Sequence, residues 1–360
     1  MKMKKNLLKK FTAIVLTAAV CLSASACGNA KSSETSGKSG KTYKVGVVQY
    51  VDDASLNLIE QNVESRLKEI GKEKGVKFEI DYQNGQADGS TLNQIAANMV
   101  ADKEDCIVAI ATPTAQIMQA ATEGKNIPII FSAASDPVGA KLVNSMDKPG
   151  ANITGTSDAL NTEAVINLML AAKPDTKKVG LLYSKSEDAS AKAIKDAKKI
   201  LDKKGIKYVE KTGTTVDEVS AAADALIAEK VDSVFTPTDN TIMTAELSIY
   251  EKLSKAGIAH FGGADSFALN GAFCGFGVNY ANLGSKTADM VADVLVNGSD
   301  PASTPVETFD NGIATINTET CKAIGLNLDD VEKAFKPYCT SINETKTNVK
   351  FNDASDSDAQ

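Results

Sequence analysis

The sequence has no tryptophan and one histidine, His260, in 360 residues, and aromatic residues make up only 5% of it. A single imidazole leaves triad-type hydrolysis with one candidate base. It lies inside an apolar run, where a satisfied structural histidine is the expectation. No G-x-S-x-G, H-E-x-x-H, P-loop or Cys/His metal spacing occurs, and Gly275-Phe276-Gly277 is half of a dinucleotide fingerprint without its third glycine. No catalytic residue, metal site or cofactor is therefore expected. The lack of tryptophan also removes the flat stacking surface that sugar and nucleoside sites favour. An excess of positive charge is missing too: the formal charge is −7, with 39 Lys and Arg against 46 Asp and Glu. That balance argues against nucleic acid as a partner. Long apolar runs are also missing, since residues 11–22 fall short of the ~20 that cross a bilayer.

What is present begins with a targeting segment. Lys2, Lys4, Lys5, Lys9 and Lys10 precede that apolar run, and Ala24-Ser25-Ala26-Cys27 follows it. Residues 1–26 read as a signal peptide. Small residues directly before a cysteine are similar to a bacterial lipobox. Cys27 is thus the expected site of lipidation, anchoring the chain to the extracytoplasmic face of the cell membrane. Residues 27–41 are rich in Gly, Ser and Lys and read as a flexible tether. Of the later cysteines, Cys106 and Cys274 sit in apolar runs and read as core thiols. Cys321 and Cys339 are near enough in sequence for a disulfide outside the cell, though spacing alone leaves free thiols equally open.

The body is organised around residues 106–140, CIVAIATPTAQIMQAATEGKNIPIIFSAASDPVGA. The order is a buried strand, a Thr-Pro-Thr turn, a helix, a second strand and a polar loop ending in Asp136-Pro137. Thr112 is the expected N-cap and Pro113 the first helical residue, which leaves the Thr114 and Ala115 amides free for an anion. Earlier, strands are expected over residues 43–49 and 76–82, with helices over 53–74 and 91–101. Strands alternating with helices indicate a parallel sheet, whose ligands bind beyond the carboxyl ends of the strands.

The plan then repeats. Residues 178–183 (KVGLLY) match 44–48 (KVGVV) in type, and each is followed by Asp-Ala-Ser, at 53–55 and 188–190. Thr236-Pro237-Thr238 repeats Thr112-Pro113-Thr114, and Asp265 falls where Asp136 fell. The expected fold is α/β, with two similar doubly wound parallel-sheet lobes and a ligand cleft between them. Residues 42–153 plus about 280–300 form the first lobe, and residues 154–279 plus about 301–341 the second. Residues 342–360 are expected to be a disordered tail.

Strand ends facing such a cleft nominate Gln49, Tyr50, Thr112, Thr114, Ala115, Ser132 and Asp136 from the first lobe. The second nominates Ser184, Thr238, Asp239 and Asp265, and Asn279 stands at a crossover. Hydroxyls, free amides and a few acids suit a zwitterion. The first Thr-Pro-Thr turn is the expected carboxylate end, and Asp239 with Asp265 the ammonium end.

Val45–Gln49 (VGVVQ), ATPTAQ, FSAASDPVGA and NITGTSD, in this order behind Cys27, resemble the ABC-transporter substrate-binding lipoproteins associated with tryptophan/tyrosine permeases. The resemblance covers roughly residues 43–335. It implies the type I periplasmic-binding-protein fold, ABC permease subunits as partners, and an amino-acid ligand, aromatic in several members. The expected protein is a monomeric solute-binding lipoprotein, not an enzyme, that closes two lobes over its ligand. A sugar or nucleoside receptor on the same fold, a sensory lipoprotein, and a secreted hydrolase using His260 stand as the alternatives.

Overall fold

The computed structural model of the protein describes residues 40–309 and 312–347. The signal peptide, Cys27 and nearly all of the tether lie outside the described residues, as does the tail from 348 onward.

The first strand, β1 (Thr42–Gln49), is followed by α1 (Ala54–Lys74). Asp53 caps this helix by accepting from the Ser55 and Leu56 amides, and Gly75 ends it at φ 67°. Between these stops Leu56, Ile59, Val63, Leu67 and Ile70 recur at helical spacing and are all buried. Next come β2 (Lys77–Asn84), α2 (Gly89–Asp102), β3 (Cys106–Ile110), α3 (Thr112–Ala121), β4 (Ile129–Ser132) and β5 (Ile153–Ser157). The chain continues through α4 (Thr162–Ala172), β6 (Lys178–Tyr183), α5 (Asp188–Lys204), β7 (Lys207–Thr212), α6 (Val216–Ala228) and β8 (Ser233–Thr236). It goes on with α7 (Asn240–Lys255), β9 (Ala259–Gly262), α8 (Asp265–Leu269), β10 (Cys274–Gly277) and α9 (Tyr280–Leu295). Last are β11 (Glu307–Thr308), β12 (Ile313–Asn317), α10 (Thr318–Ala323), α11 (Leu328–Phe335) and β13 (Ser341–Thr345).

Two sheets result. One has the order β11-β5-β4-β3-β1-β2, the other β13-β12-β10-β9-β8-β6-β7. Within them β2-β1-β3-β4-β5 and β7-β6-β8-β9-β10 are the same arrangement, and each reverses direction of growth beside its first strand. Pairs in the first sheet are parallel, while β12 joins the second antiparallel to β10. Fully buried strands such as β3, β4 and β8 lie under helices on both faces. The fold is therefore α/β with two lobes of one topology. Each has a switch point, between β1 and β3 and between β6 and β8, where a crevice opens at the strand ends.

Several expected boundaries move. β5 hydrogen-bonds to β4, so the first lobe extends past residue 153 to Ser157 and the chain crosses over at 158–161. β11 pairs with β5, so residues 307–308 belong to the first sheet rather than the second. Residues 342–345 are not tail: β13 pairs in parallel with β12 from Ser341 to Thr345. Their pairing partners are distant in sequence, which is why local composition did not betray them. Cys321 and Cys339 are both free. Their thiols lie 3.7 Å from the Leu326 carbonyl and 3.2 Å from the Phe335 carbonyl.

Candidate ligand-binding cleft

Four segments of the first lobe converge at its switch point. The turn from β1 into α1 supplies Asp53 and Ser55. Oδ1 of Asp53 is used on the Ser55 amide at 2.9 Å, while Oδ2 is buried without a hydrogen-bond partner. Burial first, and then the charge of Asp265, pushes the Asp53 carboxyl up to about 7.

The turn from β3 into α3 differs from the expectation. Thr112 is the first helical residue, not the cap. The capping position is Ala111, at φ 78° and ψ 152°, and it has no side chain able to cap. The Ala115 amide is not free either, because it donates to the Ala111 carbonyl at 3.1 Å. Pro113 has no N–H, so the Thr112 and Thr114 amides are what the helix's own bonding leaves over. Oγ1 of Thr112 and of Thr114 are both buried without partners. Beyond β4, Ala133 lies at φ 56° and Ser135 donates to Asp158 Oδ1 at 2.9 Å. Asp158 follows β5 directly, and burial raises its carboxyl above the usual range. Tyr280, at the start of α9, donates to Asp158 Oδ2 at 3.5 Å. Backbone strain at two alanines that line one cleft is typical of a functional surface.

The second lobe presents Thr238, Asn240, Met243 and Ala264 to the same space. With Asp53, Ser55, Leu56, Ala111, Thr112, Ala133, Ser135, Asp158 and Tyr280 they enclose a cavity of about 20 Å³. That is room for about one water. The lobes are thus shut. Ser55 donates to Asp265 Oδ1 across the cleft, and Gln116 Nε2 donates to Asp188 Oδ2 at 2.8 Å at its rim. Among the described residues, no Lys, Arg or His lines the cavity. The chain's one arginine, Arg66, pairs with Glu69, Glu73 and Asp289 on the far side of α1. Once the lobes part enough to widen this space beyond one water, two buried acids, an open helix start and an apolar wall formed by Leu56, Met243 and Ala264 offer partners for a small molecule with a cationic end, a polar end and a hydrophobic body.

Residues 44–334 match the family described as ABC transporter substrate binding protein. The chain belongs to this family. A tyrosine-binding protein of Clostridioides difficile (strain R20291) is 34% identical over 298 residues, 83% of this chain and 85% of that one. Among solved structures, an ABC domain from Streptococcus pneumonia in complex with L-Trp superimposes with a TM-score of 0.77 at 30% identity, over 84% of this chain and all of that one. The ligand-free, open form of a substrate-binding protein with adhesive properties from Clostridium difficile gives 0.64 at 33% identity, over 85% of this chain and all of the other. Likeness is higher to the ligand complex although identity is slightly lower, in keeping with the shut lobes. The family is one of binding proteins, not enzymes.

In this substrate-binding protein, Thr112 and Thr238 are the nominated residues that line the cavity. Asp265 sits just behind it, bonded to Ser55. Thr114 and Ala115 follow Thr112 in the first turn of α3 without lining the cavity, and the others are elsewhere. Asp239 caps α7, accepting from Ile242 N at 3.0 Å, Ser184 N at 2.7 Å and Ser190 Oγ at 2.6 Å. These bonds hold its oxygens inside the second lobe, and unlike Asp158 it does not line the cavity. Ser184 is fixed by that bond and by Ser186. Gln49 braces the β1–α1 turn through Val51 O and Asn57 Oδ1. Ser132 joins Thr156 and Thr287 in a buried hydroxyl cluster beneath α9. Asp136 caps its own turn at Gly139, and Asn279 is an exposed cap of α9. Tyr50 stands between the lobes; burial and then Glu187, Asp239 and Asp88 hold its hydroxyl up to about 12. His260 is buried between Thr236 Oγ1 and Glu246 Oε1, at 2.8 and 2.9 Å, with no opening beside it. The cavity is also lined by Asp53 and Asp158, which were not nominated. Both stand where a strand of the first sheet ends, and that position was a usable signal.

Proposed function

We propose that the cleft captures an aromatic amino acid, Trp, Tyr or Phe, and that the closed form delivers it to the permease subunits of an ABC transporter. The observation that carries this reading is the pair Asp53 and Asp158, 1% and 2% exposed, set in one cavity beside the open start of α3 with no Lys, Arg or His among the described residues that line it. A ligand ammonium supplies the missing charge, and its carboxylate meets Thr112 and the free amides of α3. The tyrosine- and L-Trp-binding relatives support the same class. Closure follows because each lobe contributes contacts, so the ligand favours the shut state. The protein acts as a monomer, tethered at the extracytoplasmic face through a lipid on Cys27.

A thermal-shift screen of the purified chain against amino acids, sugars and nucleosides tests the ligand class. A ligand that binds the folded state alone raises Tm, and Trp, Tyr or Phe is expected to do so. A shift with a sugar and none with any amino acid overturns the reading. Asp158→Asn is expected to weaken amino-acid binding by about tenfold or more. Cys27→Ala is expected to release the protein from the membrane into the surrounding medium; continued membrane association contradicts the lipid anchor.

A further inference from the structure

We infer that the cleft recognises the ammonium of its ligand first and the carboxylate second, so that aromatic primary amines form a second ligand class alongside the amino acids. This rests on the functional reading just given. The observation behind it is how the helix starts around the cleft are already occupied. An unpaired helix N-terminus favours an anion. Here Asp53 caps α1 and Asp239 caps α7, so a protein carboxylate already fills each of these starts. α3 has no side-chain cap and Pro113 removes one of its donors, whereas the other uncapped starts among the described residues, those of α5 and α8, carry an acid of this chain in their first turn, Asp188 and Asp265.

The charges are therefore unequal. Asp53 and Asp158 lie in the cavity wall, Asp265 is close enough to Asp53 to raise its pKa, and among the described residues no basic side chain shares the wall. Oδ2 of Asp53 is buried and accepts no hydrogen bond. Burying such carboxylates without a cation is costly, and the cost falls when an ammonium arrives. A zwitterion brings that ammonium together with another carboxylate, whereas an amine brings the cation alone. The amine leaves Thr112 Oγ1 and the α3 amides to a water, which neutral donors accept at little cost.

The test is calorimetric titration of the purified chain with three matched sets. These are Trp, tryptamine and indole-3-propionate; Tyr, tyramine and 3-(4-hydroxyphenyl)propionate; and Phe, phenethylamine and 3-phenylpropionate. For the side chain that binds best, the amine is expected within about thirtyfold of the amino acid, and the deaminated acid at least about a thousandfold weaker. The amine is also expected to displace the amino acid competitively. Asp53→Asn and Asp158→Asn are each expected to weaken the amine by about tenfold or more. If one of them fails to fold, the other and the displacement measurement still decide. An amino acid that binds while its amine is more than about thirtyfold weaker, or does not compete, overturns the inference and leaves the proposed function standing. No binding by any amino acid or amine overturns both.

Discussion

Asp239 and Asp53 are both acids at the start of a helix, and their surroundings give them opposite uses. Asp239 accepts from two amides and a hydroxyl, and these bonds join the β6–α5 turn, α5 and α7. Asp53 lines the cavity, spends one oxygen on its helix and leaves the other buried without a hydrogen-bond partner. Asp239→Ala would leave two buried amides and the Ser190 hydroxyl unpaired. It is expected to cost about 2–4 kcal/mol in urea unfolding, while the folded fraction keeps its ligand affinity within about threefold. A large loss of affinity without loss of stability would return Asp239 to the binding site.

Among the elements, the two Thr-Pro-Thr turns behave differently despite identical sequence. Asp239 offers the second turn a strong cap, so α7 waits until Asn240 and Thr238 is left to bond the Gly263 carbonyl at 2.9 Å. The first turn has Ala115 at the matching place, so α3 begins at Thr112 and Ala111 takes the strained conformation. Ala111→Gly is expected to raise stability by about 1 kcal/mol, because the φ/ψ region of Ala111 is one that glycine alone occupies freely. A lower Tm would show that the methyl group's packing outweighs the strain. The α1–α9 contact is equally specific. A Cβ on Gly284 would stand 2.5 Å from the Ile59 carbonyl. Gly284→Ala is expected to destabilise by about 1–3 kcal/mol through overpacking of backbone that cannot move aside. Chemical denaturation checks both substitutions.

At the scale of the whole molecule, lobe closure is linked to protons. In the shut form Asp53 is buried beside Asp265, which pushes its carboxyl from the ordinary 3.8 to about 7. Between roughly pH 4 and 7 the closed form therefore holds a proton that an open, solvated Asp53 has released. Closure of the ligand-free protein is expected to weaken as pH rises through that window and to level off above it. Small-angle scattering should show the radius of gyration of the ligand-free protein increasing from pH 5 to pH 7.5, and Asp53→Asn should flatten the trend. With saturating ligand at pH 7.5 the radius should fall to its acid value, since the ammonium replaces the proton. A radius independent of both pH and ligand would mean that the lobes do not part.

The sequence by itself determined the alternation of strands and helices, the buried faces and the duplicated order of features. These are written in local periodicity: Leu56, Ile59, Val63, Leu67 and Ile70 mark one side of α1, and continuous apolar runs mark β3 and β4. It also pointed to the strand ends, where Thr112 and Thr238 line the cavity. Only the tertiary structure decided which acids line the cavity. A helix-capping Asp reads the same in one dimension whether its second oxygen turns inward to the Ser184 amide or outward to the opposing lobe. The outcome depends on partners over a hundred residues apart, such as Ser55 with Asp265 and Asp158 with Tyr280. Those pairs come together when two sheets of the same strand order close their carboxyl ends on each other.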